Sequence, residues 1–274
     1  MKEWLNRITA CLYVIGAVSL ALAAEQDKQA LEACARQFWE AEVKQDWGTV
    51  YDLSIPEERA NATREQYVAF RREKGPFQYL TAQIGEVAVA GDIGWVQVAY
   101  DARPMSYPEL KPHHIQIWDL WHKRDTWYPV PKPQRDQFPK LPPHLRPAGE
   151  EAALSKRAHD YWQAKEMQDW QLIYQYLSPD HRAQVSLEQF LKNKALFAYF
   201  SHRLEWTEIT DNRGRVKVVY MRKLNDPAVS KLDPQQDRVI ENWIKIDGQW
   251  YRDLETTPKK VNDPPGNNQA GEKQ

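Results

Sequence analysis

Asp119 is the residue of this 274-residue chain whose surroundings most suggest chemistry. Ile115, Ile117, Asp119 and Trp121 alternate along one stretch, so a strand there would carry a carboxylate in the middle of an apolar stripe. Burial raises the pKa of such a group and suits it to general-base work, with Tyr100 or His114 as a polar helper. The alternative is structural: the carboxylate accepts from a neighbouring Trp or Tyr donor. His113 and His114 are adjacent, so on a strand they face opposite ways and cannot readily share an ion; His122 lies eight residues along. No metal site is expected. His159, His181 and His202 read as isolated surface or capping residues. No glycine-rich phosphate loop, no G-x-S-x-G and no Cys/His pair in a recognisable context is present, so no cofactor is implied.

Aromatic content is the other conspicuous feature, with 12 Trp and 13 Tyr. Trp39, Trp162, Tyr51 and Tyr174 fall at helical spacings, where they either line a ligand pocket or pack under a sheet. Tyr100, His114, Trp118, Trp121 and Asn242 complete the set of candidate ligand-lining residues.

The elements that must position these side chains come twice. Sliding the chain by 123 residues lays Ala35–Ala41 over Ala158–Ala164, and Gln45-Asp46-Trp47 over Gln168-Asp169-Trp170. Tyr51 falls on Tyr174, Glu65-Gln66-Tyr67 on Glu188-Gln189-Phe190, and Trp127-Tyr128 on Trp250-Tyr251. At that offset the counterpart of Asp119 is Asn242, so a shared base is not expected.

In each copy an amphipathic helix comes first, carrying Leu31, Cys34, Ala35, Phe38, Trp39 and Glu42, or Leu154, Ala158, Tyr161, Trp162 and Lys165. Asp46 and Asp169 suit N-caps of a second helix that Pro56 and Pro179 would close. Thr63-Arg-Glu-Gln66 and Ser186-Leu-Glu-Gln189 resemble capping boxes for a third. Alternating strands are predicted over 83–90, 94–103 and 115–123, and over 204–210, 215–223 and 239–246. Gly91-Asp92 and Asn212-Arg213-Gly214 read as turns, and Asp247-Gly248 as a hairpin loop. The fold class is therefore α+β, two copies of a module with three N-terminal helices packed on a curved antiparallel sheet.

Lys2 and Arg7 followed by an uncharged run over 8–24, ending in Ala21-Leu22-Ala23-Ala24, reads as an export signal at 1–24; an uncleaved signal anchor is the competing reading. Cys11 lies inside that segment, which leaves Cys34 without an internal partner. The first module then spans 25–130 and the second 151–255. Residues 131–150, rich in proline, are a stiff connector or pack along a domain surface. Residues 256–274 have the composition of a disordered tail. With 37 Lys+Arg against 38 Asp+Glu, no global charge excess drives the chain toward nucleic acid, which leaves only a local patch open.

The order of elements, the Asp-Trp helix starts and the closing Trp243-Ile-Lys-Ile-Asp247-Gly248-Gln-Trp250-Tyr251 hairpin resemble the nuclear transport factor 2-like superfamily, over about 28–130 and 151–254. The resemblance implies a cone whose mouth can hold a small ligand, in a group containing isomerases, dehydratases and polyketide cyclases beside noncatalytic binding domains. It also implies pairing of the two copies into an intramolecular pseudo-dimer. These features favour a periplasmic or secreted noncatalytic tandem module that binds a small apolar or aromatic ligand or a protein partner. The alternatives are an envelope-complex subunit held in the membrane by an uncleaved anchor, and a lyase- or isomerase-type enzyme using Asp119.

Overall fold

The first helix of each half stops at a glutamine in the left-handed region, Gln45 at φ 55° and Gln168 at φ 56°. The aspartate that follows caps the next helix: Asp46 accepts from the Thr49 amide and Asp169 from the Leu172 amide. The computed structural model describes residues 2–192, 197–225 and 233–254, with side chains from residue 22 onward. The expected tail, 256–274, and the side chains of most of the expected export signal lie outside the described residues.

Two compact units divide the chain, Met1–Leu145 and Arg146–Gln274. In the first, α1 (Lys2–Lys44), α2 (Trp47–Asp52), α3 (Pro56–Asn61) and α4 (Arg64–Lys74) precede β1 (Phe77–Ala90), β2 (Ile93–Pro104), β3 (His113–Lys123) and β4 (Trp127–Pro129). The second repeats that order with α5 (Ala148–Glu166), α6 (Trp170–Tyr176), α7 (Pro179–Gln184) and α8 (Leu187–Lys192), then β5 (Phe197–Thr210), β6 (Arg213–Leu224), β7 (Gln235–Ile246) and β8 (Gln249–Arg252). Each unit holds a four-stranded antiparallel meander in sequence order. The class is α+β, helices first and a sheet after them.

Pro56 and Pro179 open helices instead of closing them. Each sits at the first helical position of a short extra segment, where the missing amide hydrogen has no intrahelical partner to lose. Both capping boxes form: Gln66 N donates to Thr63 Oγ1 while Thr63 N donates to Gln66 Oε1, and Ser186 with Gln189 does the same. The turn between β5 and β6 is Asp211-Asn212, not the triplet ending at Gly214, which lies within β6.

Strands β1 and β5 bulge at matching places, after Tyr79 and Ile84 and after Tyr199 and Leu204. Each bulge adds an unpaired residue and bends the strand, which curls the sheet around its helix. Under the curl lie Leu31, Ala35, Trp39, Val96, Val98, Trp121 and Trp127 in one unit. Leu154, Ala158, Trp162, Val216, Val218, Trp243 and Trp250 take the same places in the other.

These pairs show that the 123-residue offset is not uniform. It holds through the helices and the closing Trp127/Trp250, but the first two strands of each sheet correspond at 120 residues and the third at 122. The first change falls where α8 has 6 residues against 11 in α4, and the second where the β6–β7 connection is longer than the β2–β3 one.

The outer face of the first sheet is covered by the proline-rich segment. Trp95, Leu120 and Val130 form a buried cluster there with Trp118 and Phe138 packed against it. Trp95 Nε1 donates to the Pro139 carbonyl at 3.0 Å, and His144 reaches Glu86.

One close approach recurs in both units. A Cβ on Gly94 would lie 2.5 Å from Leu31 Cδ2, and one on Gly214 would lie 2.2 Å from Leu154 Cδ2. Both leucines are fully buried. Gly94→Ala and Gly214→Ala should each lower stability by about 1–3 kcal/mol through overpacking, read as a shift in urea midpoint. A midpoint unchanged in both variants would show that the helix does not press on the sheet here.

Candidate functional site

The helix-facing side of each sheet carries one buried carboxylate, and an indole from the first helix meets it. Trp39 Nε1 donates to Asp119 Oδ2 at 3.2 Å across the interior of the first unit. In the second, Trp162 Nε1 donates to Glu241 Oε2 at 3.1 Å. Asp119 pairs in register with Val96, and Glu241 with the equivalent Val216. The structural counterpart of Asp119 is therefore Glu241 and not Asn242. Asn242 falls on the opposite face of β7, where its backbone carbonyl accepts from Arg252 and from the Asp253 amide.

Each carboxylate also meets an arginine, though the two arginines come from different segments. Arg135, from the 3₁₀ turn Lys132–Gln137, donates to Asp119 Oδ1 at 2.5 Å. Arg252, from β8, places Nε 3.3 Å from Glu241 Oε1. Burial pushes the Asp119 carboxyl above the usual range, opposed by Arg135 and by the Trp39 hydrogen bond. One turn along α1 from Trp39, Glu42 is also raised by burial and held by Arg71 at 2.6 Å; the Arg71 guanidinium lies 4.3 Å over the Trp47 ring.

An aromatic box surrounds each indole. Trp39 stacks on Tyr100 at 5.2 Å and meets Tyr79 edge-on at 5.3 Å, and burial pushes the Tyr79 hydroxyl up to about 12. Trp162 lies 4.6 Å from Tyr220 and meets Tyr199 edge-on at 5.6 Å. The charge beside the box reverses between units, because the place of Glu42 is taken by Lys165. Its ammonium sits 3.6 Å over the Trp162 ring and 4.4 Å over that of Tyr199. Burial, with repulsion from Arg252, lowers the Lys165 pKa to about 8 against the attraction of Glu241.

The other sequence candidates are dispersed. The Tyr51 hydroxyl donates to the carbonyls of Arg59 and Ala62, and that of Tyr174 to those of Arg182 and Val185, so both lock the short helices together. Trp121 is fully buried in the core, edge-on to Phe38. Trp118 points to the outer face, against His144. His114 is exposed and paired with Asp101 at 3.0 Å.

His159 and His202 are not isolated. His202 Nε2 and His159 Nδ1 lie 2.8 Å apart, and His202 Nδ1 lies 2.7 Å from Glu166 Oε1. Glu241, Arg135, Arg252 and Arg71 were not legible as site residues. The signal for Glu241 was the same alternation that exposed Asp119, hidden by the non-uniform offset.

A cleft of about 570 Å³ opens between α1 and β1. Trp39, Val43, Ala82 and Ile84 supply its apolar wall, with Arg36, Glu40, Lys44, Thr81 and Gln83 also lining it.

No family model matches the chain, and no curated protein matches it. Among solved structures, similarity extends to a SEC-C motif containing protein from Rhodopseudomonas palustris solved in solution. It is 15% identical, with 34% of this chain and 68% of that chain covered at a TM-score of 0.28. An Ntf2 like protein involved in plasmid conjugation is 7% identical, with 76% of this chain and 90% of that chain covered at a TM-score of 0.23.

Proposed function

We propose that this chain is an exported, noncatalytic tandem module, built by doubling one α+β unit, that binds a small apolar or aromatic ligand in the α1–β1 cleft. The cleft beside Trp39 carries this reading. Its volume falls within the about 300–1,000 Å³ usual for small-molecule sites, and it joins an apolar wall to polar side chains that can orient a guest. Doubling is supported by the repeated caps, bulges, glycine contacts and indole–carboxylate pairs of the two units. Export is supported by the basic start and apolar run of the first 24 residues.

The noncatalytic part rests on how the carboxylates are used. A general base needs a free oxygen within reach of a substrate proton. Asp119 has one oxygen on Arg135 and the other on Trp39, so taking up a substrate would first break a buried ion pair.

Calorimetric titration of the full chain with indole and 2-naphthoate should give one site in the first unit. Val43→Glu, in the cleft wall, should weaken it tenfold or more, while equal binding by this variant would reject the cleft. Mass measurement of the exported protein should show loss of the first 23 or 24 residues, and an intact mass would favour an anchor.

The ion pair generates a pH-dependent expectation. Arg135→Ala strands the Asp119 carboxylate in the core, at a cost of about 3 kcal/mol at pH 7. That is near the low end for buried pairs, because Arg135 keeps 34% of its side chain exposed. The folded pKa of Asp119 is raised, so its protonated form is the one burial favours. The cost should therefore shrink as pH falls through that pKa, where the neutral acid needs no counter-charge. Urea titrations at pH 4.5 and 7 that return the same cost would assign the loss to packing alone.

A further inference from the structure

Lys165 is an amine without an ion-pair partner among the described residues. It projects from α5 beneath the second sheet. Its Nζ lies 3.6 Å from the Trp162 ring centre, 4.4 Å from that of Tyr199, 5.4 Å from that of Tyr161 and 5.9 Å from that of Tyr220. Glu241 is the carboxylate acting on it, and that group is already committed to the Trp162 indole and to Arg252. Four rings and a like-charged guanidinium therefore stand where water or an acid would normally hold an ammonium. Lys165, Tyr199 and Tyr220 each keep part of their surface exposed, so the box is not sealed.

We propose that Lys165 is a carbonyl-capturing amine, whose Nζ condenses reversibly with an aldehyde or ketone bearing a small apolar or aromatic body. The ring box supplies the two things such a site needs. Burial strips water from the ammonium and Arg252 repels it, which favours the neutral amine against the pull of the ring faces, and those faces offer apolar surface to the body of a guest. The neutral amine adds its lone pair to the carbonyl carbon, and a proton moves from nitrogen to oxygen to give the carbinolamine. Loss of that oxygen as water then leaves an imine, and water reverses the sequence. No oxidant or reductant takes part.

The groups that face the amine come from α5 and from all four strands of the second sheet. Tyr161 and Trp162 come from α5, Tyr199 from β5, Tyr220 from β6, Glu241 from β7 and Arg252 from β8. His202, itself bonded to Glu166 and His159, stacks on the Trp162 ring at 6.0 Å. The proposal concerns the second unit and stands apart from the cleft of the first.

Trapping on the full chain tests it directly. Benzaldehyde with sodium cyanoborohydride reduces any imine to a stable benzylamine, and peptide mass mapping then reads each lysine separately. Lys165 should be modified at least tenfold faster than Lys156, whose exposed ammonium is paired with Asp160. Its rate should climb through about pH 8, well below the range of Lys156, whose pKa that pair raises. Lys165→Arg should retain the fold, checked by near-ultraviolet circular dichroism, and lose the fast-reacting peptide. Modification of Lys165 no faster than Lys156, or a pH profile shared by the two, would overturn the proposal. The wild-type measurement decides even if the variant does not fold.

Discussion

The hydrogen bond from an indole to a buried carboxylate holds each helix to its sheet, and the remaining interior is arranged around it. Trp39–Asp119 and Trp162–Glu241 join residues 80 and 79 positions apart in the chain. A buried carboxylate without partners is costly, as is a buried indole N–H, so each is tolerable only where the other is in place. That mutual need fixes the rotation of the helix about its axis. It also fixes the register of the third strand, because a slip of one residue would turn the carboxylate to the outer face.

The same constraint accounts for the arginines. One neutral donor does not balance a carboxylate in the core, and each unit recruits a guanidinium from whichever segment passes nearby. In the first unit this is the 3₁₀ turn after β4, in the second the last strand. Drawing Arg135 inward pins the start of the proline-rich segment, whose later residues then cross the outer face and accept from Trp95 at Pro139. A stretch with few amide donors suits that path, since it fastens by its carbonyls and by side chains.

Much of this was legible without coordinates. Helix caps, capping boxes and the Asp-Gly hairpin are local, each settled by a few neighbouring residues, and all formed as expected. Strand alternation put Asp119 on the buried face with Ile117 and Trp121, although Ile115, of the same expected stripe, is exposed. The partners were not legible, because Arg135 is 16 residues from Asp119 and Glu42 is 29 from Arg71, with no periodicity linking them. A constant offset also hid Glu241: a shorter α8 and a longer β6–β7 connection together shift the third strand by one residue, and one residue on a strand exchanges the inner face for the outer. Pro56 and Pro179 misled for a different reason, since proline ends one helix and begins another with equal ease and only the following residues decide.

The exchange of Glu42 for Lys165 shows how much latitude the frame leaves. Both residues lie one turn from the indole and beside a ring box, yet they carry opposite charges and are stabilised by unlike means. Glu42 depends on a long-range arginine that itself rests on Trp47, so the first interior closes as a network of paired ions. Lys165 rests on the faces of rings, which attract a cation but give it no proton acceptor. The first arrangement satisfies its charges within the interior. The second leaves an amine among ring faces with no ion-pair partner among the described residues, so one shared architecture holds two opposite charges by two kinds of bonding.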